Sequence, residues 1–130
     1  MGRVIFHDYR PSSKTYHQVQ VHDEPGAGGA CHEYEILAGG VDEDDHAKKP
    51  STSFGMLYFQ NGPLQDGGAN GIHGEDLIAI LIHRLECFQA GQYACRENAL
   101  ALTKLQEAQH WLTHRTLARE ERGVEGTHEV

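Results

Sequence analysis

The hydrophobic pattern in the first half of the chain is that of short strands. Residues Thr15–Val21 alternate between two faces, as do Cys31–Leu37, and the aromatic-rich run Ser53–Phe59 follows. Period-two alternation is typical of half-buried strands. Glycine-rich turns separate the first two runs, so they can pair with each other. The pattern predicts an antiparallel meander of three or so strands.

After the breaks at 61–63 and 67–71, the period becomes helical. We predict a first helix from about Gly74 to Gln89, with acidic residues in its first turn where the helix dipole favours them. A second helix is predicted from about Ala94 to Arg119. Because the connection is short, the two helices should form an antiparallel hairpin.

Together these elements predict an α+β fold, in which a small N-terminal antiparallel β-sheet precedes a C-terminal antiparallel two-helix hairpin. The predicted division places an N-terminal antiparallel β region at 1–60 and a helical hairpin domain with a C-terminal tail at 61–130. The acidic loop from Val41 to Ser53 is expected to be the most mobile part.

The apolar residues of the first helix cover more than half of its circumference, which is more than one neighbour can bury. They are Leu77, Ile78, Ile80, Leu81, Ile82, Leu85, Cys87 and Phe88. This arc predicts burial on two sides, against the partner helix and against either the sheet or another subunit. Arg84 lies in the middle of the arc and is predicted to need an acidic or carbonyl partner.

A heptad-like seam runs along the second helix, with small apolar residues at its centre and polar residues at both ends. Its members are Ala94, Asn98, Ala101, Leu105, Ala108, Leu112, Arg115 and Arg119, with Arg122 pointing in a similar direction. Two interpretations of the arginines stay open. They can favour the helix C-terminus through the dipole, or Arg115 and Arg119 can form a fork for phosphate.

Two further residues also have two interpretations each. Asn98 can fix the register of the helix, or its amide can read a purine edge or a ribose. Phe88 can be a core residue, or it can be a platform on which a nucleobase stacks.

The composition of the chain disfavours several classes of binding partner. A net charge of -8 makes binding to a nucleic-acid polymer improbable without excluding a small anionic ligand. Three cysteines argue against a disulfide framework and predict a reducing cytosol. No apolar run approaches the roughly 20 residues of a membrane span, so no membrane partner is expected.

Other candidate chemistry is weaker. His110 and His114 have a zinc-compatible spacing but lack the HExxH signature, and no metal site is predicted. Cys87 and Cys95 are predicted to be core thiols. The glycine-rich segment before Cys31 lacks the rest of a phosphate loop, so a tight turn is predicted there. His32, directly after it, could contact a ligand, although a place on the strand surface is the simpler expectation.

Several segments resemble the phage Thoeris anti-defence sponge family, whose helical hairpin is shared with anti-CBASS cyclic-oligonucleotide sponges. They are Tyr58–Pro63, Asn70–Gly71, Glu75–Ile80, Arg84–Gln89, Ala94–Leu102, Leu105–Leu112 and Arg122–Thr127. The resemblance covers about residues 55 to 127, and Glu24–His32 is similar to the family's N-terminal sheet.

The resemblance implies a binder that is not an enzyme and needs no cofactor. Family members sequester immune signalling nucleotides without cleaving them, namely cyclic ADP-ribose isomers such as gcADPR and, in several members, cyclic di- or trinucleotides. They are homo-oligomers, dimers or commonly hexamers, with ligand sites between protomers, and they act in the cytoplasm of the infected bacterial host.

The residues that the resemblance assigns to the ligand are the polar members of the seam, together with Phe88 of the first helix. Phe88 would stack on the base, Asn98 would supply the amide contact, and Arg115 and Arg119 would face phosphate. We add Arg122 and His32 as candidate ligand contacts. Two alternatives stay open: a metal-dependent nucleotide hydrolase, and a purely structural helical-hairpin oligomer.

Overall fold

The computed structural model of the chain describes residues 3–4, 17–39, 49 and 52–123. They divide into two compact units, and each is described by itself. The first holds the described residues up to Gly62 together with Ala69–Gly71, and the second holds Pro63–Gly68 and the described residues from Ile72 onward. Most of the acidic loop that was predicted to be mobile lies outside the described residues.

The first unit is an antiparallel four-stranded sheet with its strands in chain order. The strands are β1 (Arg3–Val4), β2 (Gln18–Val21), β3 (Glu33–Leu37) and β4 (Ser53–Tyr58). The meander that the alternation predicts is therefore confirmed, and the short strand β1 is an addition to it. In the register Val19 lies opposite Ile36, and a bulge follows between Ile36 and Leu37.

Polar side chains occupy the interior of this sheet. Gln18 and Gln20 are both buried, and the amide of Gln20 donates to the side-chain oxygen of Gln18 at 3.3 Å. Among the described residues, Val21 is the one buried apolar residue, with 4% of its surface exposed. Because buried amides need hydrogen-bond partners, this bond along β2 offsets part of the cost of burying the two side chains.

Asp23 fixes the turn between β2 and β3. Its carboxylate accepts hydrogen bonds from the backbone N–H groups of His32 (2.9 Å) and Glu33 (3.2 Å). Desolvation raises the pKa of this carboxyl, but these backbone hydrogen bonds prevail and lower the pKa overall. The glycine-rich segment between them contains a one-turn 3-10 helix with Gly28 and Gly29 at φ of 73° and 83°, which confirms the predicted tight turn.

A polar clasp closes the first unit after β4. The Asn70 side chain accepts from the backbone N–H of Asn61 (2.7 Å) and donates to the Asn61 carbonyl (2.8 Å), while the Asn70 N–H donates to Gln60 (2.9 Å). Gly71 then passes so close to β4 that an added Cβ would lie 2.5 Å from the backbone carbonyl carbon of Phe59. Only glycine fits this crossing.

The second unit contains three helices, α1 (Leu64–Gly67), α2 (Gly74–Gln89) and α3 (Arg96–Glu121). The bounds of α2 are those predicted, α3 is shifted by two residues, and α1 was not predicted. The Asp76 carboxylate caps α2 by accepting from the backbone N–H of His73 at 2.9 Å. At the end of α3, Gly123 adopts φ of 73°, which is typical of a helix C-cap.

Helices α2 and α3 form the predicted antiparallel hairpin. The Gln89 side chain binds both the N–H and the carbonyl of Cys95, and the Gln109 amide donates to the carbonyl of Glu75 at 3.0 Å. In each pair the two residues lie equally far from residue 92 in the chain, which is the centre of the turn. The two helices therefore keep the same register along the whole of α2. This register leaves the part of α3 beyond about residue 110 without a partner on α2, an overhang of about 16 Å at 1.5 Å per residue.

The inward face of α3 is offset from the predicted seam. Asn98, Leu105, Leu112 and Arg119 do lie on the less exposed side of the helix, as predicted. The other inward residues are Leu102, Gln109 and Thr116, whereas Ala101, Ala108 and Arg115 are exposed. Up to about residue 110, the predicted seam therefore runs along the border of the contact with α2, and its alanines form a small-residue stripe on the surface of the hairpin.

The arc of α2 divides in the same way. Leu77, Ile78, Ile82 and Leu85 are half-buried, whereas Ile80, Leu81 and Phe88 are exposed. The hairpin therefore buries one side of the arc and leaves the other open. No helix in the described part of the chain is long and apolar enough to cross a membrane.

Candidate functional site

The turn end of the hairpin carries Phe88 and Asn98. Phe88 is the penultimate residue of α2, and its side chain is 40% exposed, so the ring is not buried within the hairpin. Asn98 lies in the first turn of α3, where its backbone N–H donates to the Cys95 thiol at 3.4 Å. Its carboxamide makes no hydrogen bond with the described residues, so it is available to a ligand.

Arg84 lies one turn before Phe88 on the exposed side of α2. Its guanidinium carbon is 5.5 Å from the centroid of the Phe88 ring. The prediction that Arg84 needs an acidic or carbonyl partner is wrong within the described residues, because the exposed guanidinium rests on an aromatic ring instead. Sequence reasoning missed this pair, although its i,i+4 spacing is the signal that could have revealed it.

The opposite end of α3 carries the arginines. Arg115 and Arg122 are exposed, and no carboxylate among the described residues lies within ion-pair distance of either. Local pairing with Glu120 and Glu121 therefore does not occupy these two guanidiniums. Arg119 is only 7% exposed. The two exposed guanidiniums, of Arg115 near the end of α3 and of Arg122 directly after it, provide donors for an anion.

These two groups of residues are far apart within one hairpin. Asn98 and Arg115 are separated by about 26 Å along the α3 axis at 1.5 Å per residue. A single nucleotide cannot span that distance and contact both groups. The hairpin thus separates Phe88 and Asn98, which are predicted to contact a base, from the arginines that are predicted to contact phosphate.

His32 belongs to the first unit and is buried, at 7% exposed, so its expected place on the strand surface is wrong. Its Nδ1 atom has no hydrogen-bond partner among the described residues and lies 4.0 Å from the Asp23 carboxylate. An added Cβ on Gly26 would lie 3.5 Å from this nitrogen, so the glycine backbone packs against the ring. The role of His32 as a ligand contact stays a prediction.

The remaining candidates do not form a metal centre in the described part of the chain. No group of three His, Cys, Asp or Glu side chains there could hold a metal ion. The expectation that Cys87 and Cys95 are core thiols is wrong, because both are exposed. Cys95 caps α3, and the Cys87 sulfur lies 3.8 Å from Nε2 of His83.

Trp111, on the overhang of α3, is an exposed aromatic residue that the sequence interpretation overlooked. It is 65% exposed, and the His110 and His114 rings stand edge-on to it at centroid distances of 5.3 and 5.9 Å. The two histidines that had been considered for zinc therefore flank an indole. Arg115 follows Trp111 one turn later, so this tryptophan adjoins the arginine end of the hairpin.

The chain is thus an α+β protein with a helical hairpin. The turn end of the hairpin carries an aromatic ring and an amide, and the opposite end carries guanidinium groups. Residues 57–117 match the Acb2/Tad1 hairpin domain. Over 73 residues the chain is 59% identical to Thoeris anti-defense 1 of Bacillus phage SBSphiJ7. Both matches support the resemblance to the Thoeris anti-defence family over the part of the chain that holds the hairpin.

The match with this relative covers 56% of the chain and 51% of the relative, so about half the relative's length is matched. The family match lies on the end of β4 and on the hairpin, and it contains Phe88, Asn98 and Arg115. Arg119 and Arg122 lie just beyond its last residue.

Proposed function

We propose that the protein binds and sequesters small signalling nucleotides of bacterial immunity and thereby keeps them from their effectors. The ligands we propose first are cyclic ADP-ribose isomers such as gcADPR, with cyclic di- and trinucleotides as a second class. The relative's name, Thoeris anti-defense 1, supports an anti-defence role during phage infection. The protein would act in the cytoplasm of the infected host.

The observation that carries this proposal is the exposed, unpaired guanidinium of Arg115 beside buried Arg119. Such groups bind phosphate oxygens bidentately. The chain's overall charge of -8 opposes binding of anions in general, so local donors must supply the attraction. A compact dianion suits two or three clustered guanidiniums, whereas a polyanionic polymer would meet the acidic surface around them.

The base-directed end supplies the rest of a nucleotide site. Phe88 offers a π-face, and Asn98 offers a carboxamide that no described residue occupies. Because one hairpin holds these groups about 26 Å from Arg115, we propose that the site forms between copies in a homo-oligomer, a dimer or hexamer. The exposed alanine stripe at Ala101 and Ala108 would allow close approach of a second helix.

The mechanism we propose is capture without cleavage. The ligand would neutralise guanidiniums that otherwise repel one another across the interface between copies. Capture is stoichiometric, so it requires as much protein as signal.

The test is incubation of the purified protein with gcADPR, removal of free ligand, denaturation, and chromatography of the released material. We expect intact gcADPR. A product that disappears in chelator would instead indicate the metal-dependent hydrolase. Failure to retain any nucleotide would indicate the purely structural oligomer and would overturn the proposal.

A charge-matched pair of variants tests the arginine assignment. Arg115→Ala should weaken gcADPR binding by about 100-fold, since hydrogen bonds to charged groups contribute about 1.5–3 kcal/mol each. Lys104→Ala removes the same charge from an exposed position that is paired with Glu107, and it should leave binding unchanged. Equal affinities of the two variants in titration calorimetry would show that Arg115 is not a ligand residue.

A further inference from the structure

Arg84 occupies an unusual place on α2. It lies between Leu81 and Phe88 on the exposed side of the helix, where its only neighbours on the same stripe are apolar. Its guanidinium carbon lies 5.5 Å from the Phe88 ring centroid. No carboxylate among the described residues pairs with it, so the cation is held by a ring alone.

This geometry blocks one face of the ring that is proposed to stack on a base. Guanidinium groups are planar and stack on aromatic rings and on nucleobases alike. A base inserted between the two groups would need about 3.5 Å on each side, roughly 7 Å in all. The guanidinium would therefore have to withdraw by only about 1.5 Å, which an exposed, flexible side chain can do by changing rotamer.

Resting on the proposed function, we propose that Arg84 is a further base-contacting residue. In the free protein its guanidinium covers the face of Phe88 that the base will use. In the complex it covers the outer face of the base, so that the base is held between an aromatic ring and a cation. The site would thus select nucleotides with an aromatic base over anions that carry phosphate alone.

The experiment is titration calorimetry of gcADPR with the wild-type chain and with Arg84→Ala, Arg84→Lys and Lys104→Ala. Arg84→Ala should weaken binding by about ten-fold, in the range found for one base-stacking group. Arg84→Lys keeps the charge but loses the planar surface, so it should lose most of that affinity as well. Lys104→Ala should stay within two-fold of the wild type.

A double-mutant cycle with Phe88→Ala tests whether the two residues hold the same base. If they do, Arg84→Ala should cost much less in the Phe88→Ala background than alone. Inorganic pyrophosphate is the base-free probe, and its affinity should be the same for the wild type and Arg84→Ala. Circular dichroism spectra of all variants should coincide, because both side chains are exposed.

The outcomes separate the two proposals. If Arg84→Lys binds gcADPR as tightly as the wild type, or if Arg84→Ala matches Lys104→Ala, the inference about Arg84 is overturned while sequestration stands. Additive effects in the double-mutant cycle also overturn it. If the wild-type chain retains no nucleotide, the proposed function fails, and the inference fails with it.

Discussion

The sheet unit and the hairpin unit are stabilised in different ways. In the sheet, polar groups are satisfied internally: the Gln18–Gln20 pair, the Asp23 turn and the Asn61–Asn70 clasp each close a segment of the chain. Both units leave large apolar side chains exposed, such as Phe54 and Tyr58 on β4 and Phe88 and Trp111 on the hairpin. The two units therefore differ in how their polar groups are paired rather than in their apolar surface.

This difference shows where function should be sought. Polar groups that have partners inside their own unit stabilise that unit, and they have little left to offer a ligand. Among the described residues of the hairpin, the carboxamide of Asn98 and the guanidiniums of Arg115 and Arg122 have no partner and can be reached by a ligand, whereas the unpartnered Nδ1 of His32 in the sheet unit is buried. The candidate site is therefore made of the hairpin's polar groups that lack a partner, not of those that are already paired.

The largest expected effect concerns the open face of the hairpin. Ala108→Glu places a charged, longer side chain on the small-residue stripe, so it should reduce the protein to a monomer and abolish nucleotide binding. Thr103→Glu adds the same charge to an exposed position elsewhere on α3 and should leave the assembly intact. Light scattering after size-exclusion chromatography measures both masses, and an unchanged mass for Ala108→Glu would contradict the idea that this stripe is an interface.

A second prediction tests the closed character of the sheet unit. Gly71→Ala would place a Cβ 2.5 Å from the Phe59 carbonyl carbon, where no flexible side chain can move aside. We expect a loss of about 3 kcal/mol in the free energy of unfolding. In Gly74→Ala, the control in the hairpin, the Cβ meets nothing within 4 Å, and a gain of about 0.5–1 kcal/mol is expected. Urea unfolding measures both, and equal midpoints would refute the close crossing.

The smallest effect is a dependence of sheet stability on pH. A hydrogen bond from the Ser53 hydroxyl to the Glu35 carboxylate lowers the pKa of Glu35, and so does His22, whose Nε2 lies 2.8 Å from that carboxylate. Hydrogen bonds from backbone N–H groups lower the pKa of Asp23. A carboxyl with a lowered folded-state pKa stabilises the fold above its ordinary pKa, 4.5 for Glu35 and 3.8 for Asp23, and the contribution is lost as pH falls further.

Glu35→Gln should therefore flatten the fall in melting temperature below about pH 4.5, because the amide does not titrate there. Hydrogen exchange in β2 and β3, followed as pH is lowered, locates the effect in the sheet. Glu86→Gln on the exposed side of α2 is the matched control, and it should leave the pH profile of these strands unchanged. Parallel profiles for Glu35→Gln and the wild type would exclude the contribution of Glu35.

Helix α2 shows what the sequence could predict. Its acidic first turn and the glycine after its last turn define both ends, and the observed bounds agree with the predicted ones. Strands β2 and β3 were predicted from alternation and β4 from its aromatic residues, although each is shorter than its run. Strand β1 has only two residues, and α1 has four, so neither is long enough to show a period.

Faces and partners could not be predicted in the same way. On α3, Ala101 and Ala108 lie on one side of Leu105, and Leu102 and Gln109 lie on the other side. A heptad pattern cannot tell which of these two sides faces α2. Tertiary hydrogen bonds decide it, since Gln109 reaches the carbonyl of Glu75. The burial of His32 likewise depends on Asp23, nine residues earlier in the chain.

The separation of Asn98 and Arg115 along α3 has a consequence for dosage. If a nucleotide site requires opposite ends of two chains, then an isolated chain captures nothing. At low concentration the number of sites rises with the square of the amount of protein, and only after assembly does it rise in proportion. The protein concentration at which protection begins would then be set by the association constant of the chains. Tighter self-association would lower that concentration, whereas tighter binding of the nucleotide to an assembled site would not create more sites.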